Sequence, residues 1–555
     1  MEKAKSECVF IIFTTIVFIQ FSVAAQSGTV PLVPTKADTL NGSITPERKW
    51  WDVKRYDLAF QLDPGSQRIV GTNQITYQVV GKRLSLMQID LVQPVNIDSI
   101  YQSGKKLAFY RTGNFYYVSI PSKKQKDSLL IYFSGIPKSS VNPPWDGGLV
   151  WSKDSLGRPW YAVACQYLGA SVWFPCKNAL YDEPDNGASI AIRVPESLVA
   201  VSNGKLLQQI RHPDKTVTYQ WGVVNPINHY DICFYIGNYE RIHRAYQGEK
   251  GVLSMDFWVL DYNTAKAKAH LIPEALQAMQ SLEYWFGPYP FYEDGSKMVD
   301  APFIGMEHQS AIAYGNNYTK GTYKGKDNSG TGWGKKTDRL VVHELAHEWF
   351  GNNITASDIA DRWLQEGFAG LAEQLVLEDL CGKQAGLEFL TGRLRHLENQ
   401  QPVISRYGIN EDGGSDGYLK GWGLIHLIRQ MMGNDSSFRS MLRGLNQTFY
   451  HQTISSAQLE NFIAAKAGIP LQVVFDQYLR SPAIPVLEYE ATGDSFHYRF
   501  KNCHENFSLP VKTNWTGGVV IHPTVGWQTT TISTTDLNRP LQVNCNLIET
   551  EEVKR

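Results

Sequence analysis

Apolar and polar residues alternate with a period of two in four stretches of the chain: residues 56–62, 74–79, 116–120 and 189–194. Successive side chains of a strand point to opposite faces, so this pattern predicts strands with one buried face. The Gly-, Pro- and Lys-rich stretches between them predict turns. From about residue 264 the period lengthens to that of a helix. Residues 265–286 read as one long helix, 421–432 as another, and 454–480 as mainly helical, with Pro482 and Pro485 preventing continuation. Short Thr-, Val- and Ile-rich runs return over 487–547. The expected fold is multidomain α+β. An N-terminal antiparallel β-sandwich or saddle spans 49–245, a mainly helical domain 246–485, and a small C-terminal β-sandwich 486–555.

The N-terminal end differs in character. Lys3 and Lys5 precede an apolar run over 9–23, and Val23, Ala24 and Ala25 offer a cleavage site before Gln26. Residues 1–25 therefore predict a signal peptide. Their apolar run is shorter than the roughly 20 residues that span a bilayer. Residues 26–48, rich in Thr, Pro, Gly and Ser, read as a linker. Together these features predict an exported protein, periplasmic or secreted, with no transmembrane span in the mature chain. A formal net charge of −1 without a basic block argues against nucleic acid as a partner. Of the seven cysteines, Cys8 lies in the signal segment, and the others are too sparse for a small-domain disulfide framework. Export permits bridges. Cys503 and Cys545 share the last β-rich segment and are the pair expected if one forms; buried free thiols are the alternative for all six.

The helical region carries the chemistry. His343-Glu344-Leu345-Ala346-His347 is followed, after eighteen intervening residues, by Glu366. Residues i and i+4 share a helix face, so His343 and His347 can place two imidazoles on one metal ion. Glu344 is rotated about 100° from that face, where a base stands to take a proton from water beside the metal. Catalytic zinc commonly takes three protein ligands and leaves a fourth position to water. Glu366, on a second predicted helix, supplies the third. Thr337 and Asp338 offer a helix start, and Leu340, Val341, Leu345 and Phe350 an apolar face. Two imidazoles and a carboxylate also suit cobalt, manganese or iron. The helical spacing with Glu344 as base favours zinc, one ion per chain.

The stretches His343–Asn352 and Trp363–Ala369, preceded by Ile304-Gly305-Met306-Glu307-His308 and followed by Tyr418-Leu419-Lys420-Gly421, occur in a fixed order. Cys165-Gln166, Trp173-Phe174-Pro175-Cys176 and Asp182-Glu183-Pro184 stand ahead of them. From about residue 51 to 485 the sequence resembles the gluzincin zinc aminopeptidases, the family of aminopeptidase N (alanyl aminopeptidase), related to leukotriene hydrolase. Glu348 and Gln365 stand where that family more usually has Gln and Asn, and His308 where it has Asn.

The resemblance implies a thermolysin-like zinc catalytic domain that hydrolyses N-terminal residues from peptides, with Glu344 as general base. By resemblance Tyr418 donates to the developing oxyanion. Glu307, with Met306 and Gly305, receives the free amino group, a charge-assisted contact that confines cleavage to the chain end. Gln166 touches the same amine or the substrate backbone. Glu373, two helical turns beyond Glu366, is positioned to hydrogen-bond a ligand histidine. His308 introduces a titratable neighbour to Glu307. Two other classes remain open at this point: a zinc hydrolase acting as endopeptidase or epoxide hydrolase, and a non-catalytic exported binding module. The first conflicts with a charged Glu307 set against an internal peptide bond, the second with retention of the full residue set.

Overall fold

Trp51–Asp63 buries every second side chain over most of its length, and Ala188–Pro195 does so throughout. The computed structural model describes residues 35–553 apart from 167, 412–413, 516–519 and 533–538. The predicted signal peptide and the first part of the linker lie outside the described residues. The two strands are central in an eight-stranded sheet, in the order 205–211, 216–223, 188–195, 51–63, 68–79, 126–135, 96–102, 105–106. The expected purely antiparallel domain is corrected at this centre, because Trp51–Asp63 and Ala188–Pro195 run parallel, Tyr56 opposite Ala188. The intervening chain builds the four strands on one side of Trp51–Asp63, a three-stranded sheet and part of another, then crosses to its opposite edge, and a crossover of this length permits the parallel direction that a hairpin cannot give.

The expected linker is also corrected in part. Lys36–Gly42 and Pro46–Lys49 are short helices, and Arg48 is fully buried, 2.7 Å from the Asp90 carboxylate. A buried, paired guanidinium ties this segment to the β domain instead of leaving it free. The core of that domain holds Phe60, Trp173, Phe174 and Phe234 in edge-on contact. It runs on without interruption into Trp258, Val299, Phe303 and Met306.

Those last residues belong to a five-stranded sheet in the order Tyr239–Gly248, Gly251–Leu260, Ser296–Asp300, Ile312–Tyr314, Gly305–Met306. Its first hairpin straddles the expected boundary at 245. Four helices frame the site: α1 (Ile272–Phe286), α2 (Arg339–Ala346), α3 (Trp363–Cys381) and α4 (Asp416–Met432). The predicted helix over 265–286 contains a π-helical turn at Ala267–Leu271 just before α1. Pro273, at the start of α1, has no N–H to give the preceding turn, and the wider turn absorbs the mismatch.

α3 is buried along most of its length, so it shows no amphipathic face. After Ser456–Ala467 and Gln472–Leu479, the chain enters a four-stranded sheet of Val486–Thr492, Ser495–Lys501, Gln528–Thr531 and Glu549–Glu552. Its Phe496 and Phe500, with Leu547 just before the last strand, share the core of the helical region. Cys503 and Cys545, the pair named should a bridge form, are not bridged. The six described cysteines are free: Cys165, Cys176, Cys233 and Cys545 are buried, Cys503 partly so, and Cys381 exposed. Among the described residues, no helix is long and apolar enough to cross a membrane.

Candidate active site

Val341, Val342, Leu345 and Ala346 fasten α2 to the core, which fixes the direction of His343 and His347 on its other side. His347 follows the last residue of α2 and keeps helical φ/ψ of −61° and −21°, so the i, i+4 relation survives the helix end. Asp338 precedes α2 as expected but does not cap it with its side chain. Its carboxylate instead accepts from Tyr314 Oη at 2.7 Å and Asn316 Nδ2 at 2.8 Å, tying the helix start to the sheet.

Donor atoms of His343, His347 and Glu366 all lie within 4.8 Å of one another. Glu366 Oε2 is 3.4 Å from His343 Nε2 and 3.5 Å from His347 Nε2, buried and without a well-aligned hydrogen bond. Two ligands at zinc bond lengths and tetrahedral angles stand about 3.4 Å apart. The spacing and the donor set therefore fit one zinc ion. Each imidazole is oriented from behind: His343 Nδ1 donates to Glu373 Oε1 at 2.8 Å, and His347 Nδ1 to the Phe350 carbonyl at 3.0 Å. Both bonds leave Nε2 as the atom available to a metal. Burial raises the Glu373 carboxyl, but Arg339 and His343 more than offset this and hold it at about 2. Arg339 binds the second oxygen of Glu373.

Gln166, Gly305, Met306, Glu307, His343, Glu344, His347, Glu366 and Tyr418 line one cavity of about 380 Å³. Glu373 stands behind it. Glu307, Glu344 and His347 form a second group with donor atoms within 4.8 Å of one another. Burial pushes Glu344 up to about 7 and raises Glu307 too, each carboxylate also feeling acidic neighbours. Gln166 Oε1 is buried without a hydrogen-bond partner. The Tyr418 ring lies nearly parallel to His343, 6.3 Å away at 12°, with the Arg362 guanidinium 5.2 Å from its centre.

The three departures from the expected motifs are all accommodated by burial. Glu348 accepts from the Ser310 amide at 2.8 Å, and burial pushes it up to about 8. Gln365 donates to Tyr230 Oη at 3.1 Å. His308 Nδ1 lies 2.6 Å from Tyr235 Oη, whose hydroxyl donates to the Ala311 carbonyl. Burial pushes His308 down to about 3, so the expected pH-sensitive neighbour is corrected to a neutral packed imidazole.

Sequence reasoning missed Arg339, Arg362 and Asn352, the last donating from Nδ2 to the Glu307 carbonyl at 2.8 Å. Arg339 was findable: it stands four residues before His343, on the face that Glu373 must approach. Arg362 and Asn352 have no comparable spacing signal.

The model of the Peptidase family M1 domain matches residues 274–478. The chain is similar to "Probable aminopeptidase 1" of Sulfurisphaera tokodaii, 23% identical over 487 residues that cover 83% of this chain and 57% of the relative. It also resembles the glutamyl aminopeptidase of Homo sapiens, 24% identical across 59% of this chain and 34% of that protein. It thus spans about a third to just over half of these relatives' lengths. In fold it resembles a glutamate-to-alanine variant of an M1 zinc metallopeptidase from Deinococcus radiodurans. That match has a TM-score of 0.67 at 21% identity and covers 80% of this chain and 98% of the other. The same variant is known bound to a Tyr-Ser-Ala substrate.

Proposed function

Residues 274–478 are a domain of peptidase family M1, and from that premise we propose that this protein is a zinc-dependent aminopeptidase. Its reaction is hydrolysis of the first peptide bond of substrates with a free amino terminus. One observation carries the reading. The His343, His347 and Glu366 donors converge in the same cavity as two further buried carboxylates, Glu344 and Glu307. A metal-ligand triad alone fits many hydrolases; the added carboxylate pair fits a substrate that brings its own positive charge.

His343 Nε2, His347 Nε2 and Glu366 would hold the zinc. When bound, zinc acts as a Lewis acid and lowers the pKa of water toward about 7. Glu344 takes the proton of the attacking water at its carboxylate and hands it to the departing amine. Tyr418 Oη donates to the developing oxyanion, a contact of the kind worth roughly 3–4 kcal/mol. Glu307 accepts from the substrate ammonium, with the Gln166 amide oxygen as a second acceptor for it. A neutral internal peptide gives Glu307 no counter-charge, which disfavours endopeptidase cleavage.

The test compares a dipeptide-like amide with a free amino end and its acetylated twin, using wild type, Glu344→Gln and Glu307→Ala. We expect cleavage of the free form only, lost in Glu344→Gln and weakened mainly through KM in Glu307→Ala. Equal cleavage of both forms overturns the exopeptidase reading. Inactivity of the zinc-loaded wild type across a panel of side chains overturns the peptidase reading.

A further inference from the structure

A second cavity, of about 50 Å³, adjoins the catalytic one at Gln166, which lines both. Tyr230, also in its wall, accepts from Gln365, the residue before Glu366. One water needs roughly 10–15 Å³ of such space, so the cavity holds about three or four non-hydrogen atoms. Hydrolysis as derived above does not use it.

Four residues around this space carry a buried polar atom without a hydrogen-bond partner: Gln166 Oε1, Asn178 Oδ1, Tyr181 Oη and His229 Nε2. Buried polar atoms are paired in the great majority of cases, so four around one small cavity point to a polar ligand. Their roles follow from the bonds already made. Asn178 Nδ2 donates to Asn41 Oδ1 and to the Leu168 carbonyl, both at 2.9 Å, which leaves Oδ1 as an acceptor. His229 Nδ1 accepts from the Ala170 amide at 3.4 Å, and burial pushes the ring down to about 3, so Nε2 carries a proton to donate. Tyr181 adds a hydroxyl. Asp358, the charged residue of the wall, already accepts from the Ala360 and Gly408 amides. What remains unmet is a neutral group that both accepts and donates.

We infer that this cavity selects peptides whose first residue is asparagine or glutamine. The side-chain amide oxygen accepts from His229 and Tyr181, and the amide nitrogen donates to Asn178. Resting on the aminopeptidase reading, the inference deepens it by naming the first residue. With the substrate ammonium at Glu307 and Gln166, the first side chain branches from the adjacent Cα and is the part that passes Gln166 into this space. A leucine of the same shape leaves the buried donors and acceptor unpaired. An aspartate sets a charge against Asn178 Oδ1, and a lysine is too long and meets a donating His229.

Release of the first residue is measured from the anilides of asparagine, glutamine, leucine, aspartate and lysine, with wild type, Tyr181→Phe and His229→Phe. Tyr181→Phe removes one oxygen that bonds nothing else in the fold, so it tests the site even if His229→Phe fails to fold. The ratio of kcat/KM between the better amide substrate and leucine is taken within each variant, so a general loss of activity does not move it. Wild type is expected to favour asparagine or glutamine over leucine and aspartate by roughly 10- to 100-fold. That ratio should fall by roughly threefold or more in Tyr181→Phe and toward one in His229→Phe. A wild-type ratio near one, a preference for leucine, aspartate or lysine, or a ratio that neither variant lowers overturns the selection while leaving the aminopeptidase reading standing. Release from none of the five sinks that reading, and the selection with it.

Discussion

Gly367 and Gly421 meet where α3 crosses α4: a Cβ on Gly367 would lie 3.0 Å from the Gly421 carbonyl carbon, and one on Gly421 3.3 Å from Gly367 Cα. Backbones approach this closely only where neither residue carries a side chain. Glu366 precedes one glycine and Tyr418 stands three residues before the other, so the crossing sets the separation of the proposed metal ligand from the proposed oxyanion donor. Gly421→Ala should push the helices apart at a cost of about 1–3 kcal/mol. A lower melting temperature together with a larger fall in kcat than in metal content is the expected result. Unchanged stability and activity would remove the crossing from this role.

Glu373 joins Arg339 to His343, and so carries a charge partner to the metal site without touching the ion. Glu373→Gln keeps an acceptor near Nδ1 but removes the charge that raises ligand basicity. Zinc affinity should fall roughly 10- to 100-fold. Titration against a chelator of known affinity measures it, and an unaltered zinc affinity would assign Glu373 to packing alone.

Gly305 has no room for a side chain. A Cβ there would lie 2.9 Å from Glu344 Oε1 and 2.7 Å from Leu340 Cδ1. In Gly305→Ala the Glu344 carboxylate should be displaced while His343, His347 and Glu366 keep the metal. Misplacement of a base on this scale lowers kcat by roughly 10- to 100-fold. The check is kcat alongside bound zinc, and loss of zinc in proportion to activity would refute the separation.

How much of this was legible in the sequence depended on distance along the chain. The strands at 56–62 and 189–194 were readable because alternation is local. Their parallel pairing was not, since it joins segments more than a hundred residues apart that carry no mark of each other. His343, His347, Glu344 and the Glu373 contact followed from helical spacing, a periodicity that survives without tertiary knowledge. Glu307, Gln166 and Tyr418 came from resemblance alone, because the cavity draws them from three separate segments. The five-stranded sheet leaves little trace in the sequence because Ser296–Asp300 and Ile312–Tyr314 are short and buried on both faces, so they show no alternation. Arg48 reads as a polar linker residue until Asp90 is seen beside it.

Glu183 offers a test of how the β domain seats the catalytic one. It accepts from Asn228 Nδ2 at 3.4 Å and interacts with Thr355, next to the turn that follows the zinc helix. Burial pushes its carboxyl up to about 7, only partly countered by those two hydrogen bonds. The native state therefore binds a proton that the unfolded chain, with an ordinary Glu near 4.3, has already lost. Between about pH 4.3 and 7 the folded form holds more protons, so this residue's contribution to stability falls as pH rises through that window. The total loss is on the order of 3 kcal/mol. Glu183→Gln, which stays neutral, should match wild type near pH 4 and become progressively more stable relative to it toward pH 8. Thermal melts of both proteins across this range decide it: a difference in melting temperature that stays constant with pH would mean that Glu183 titrates as an ordinary carboxylate in the folded protein.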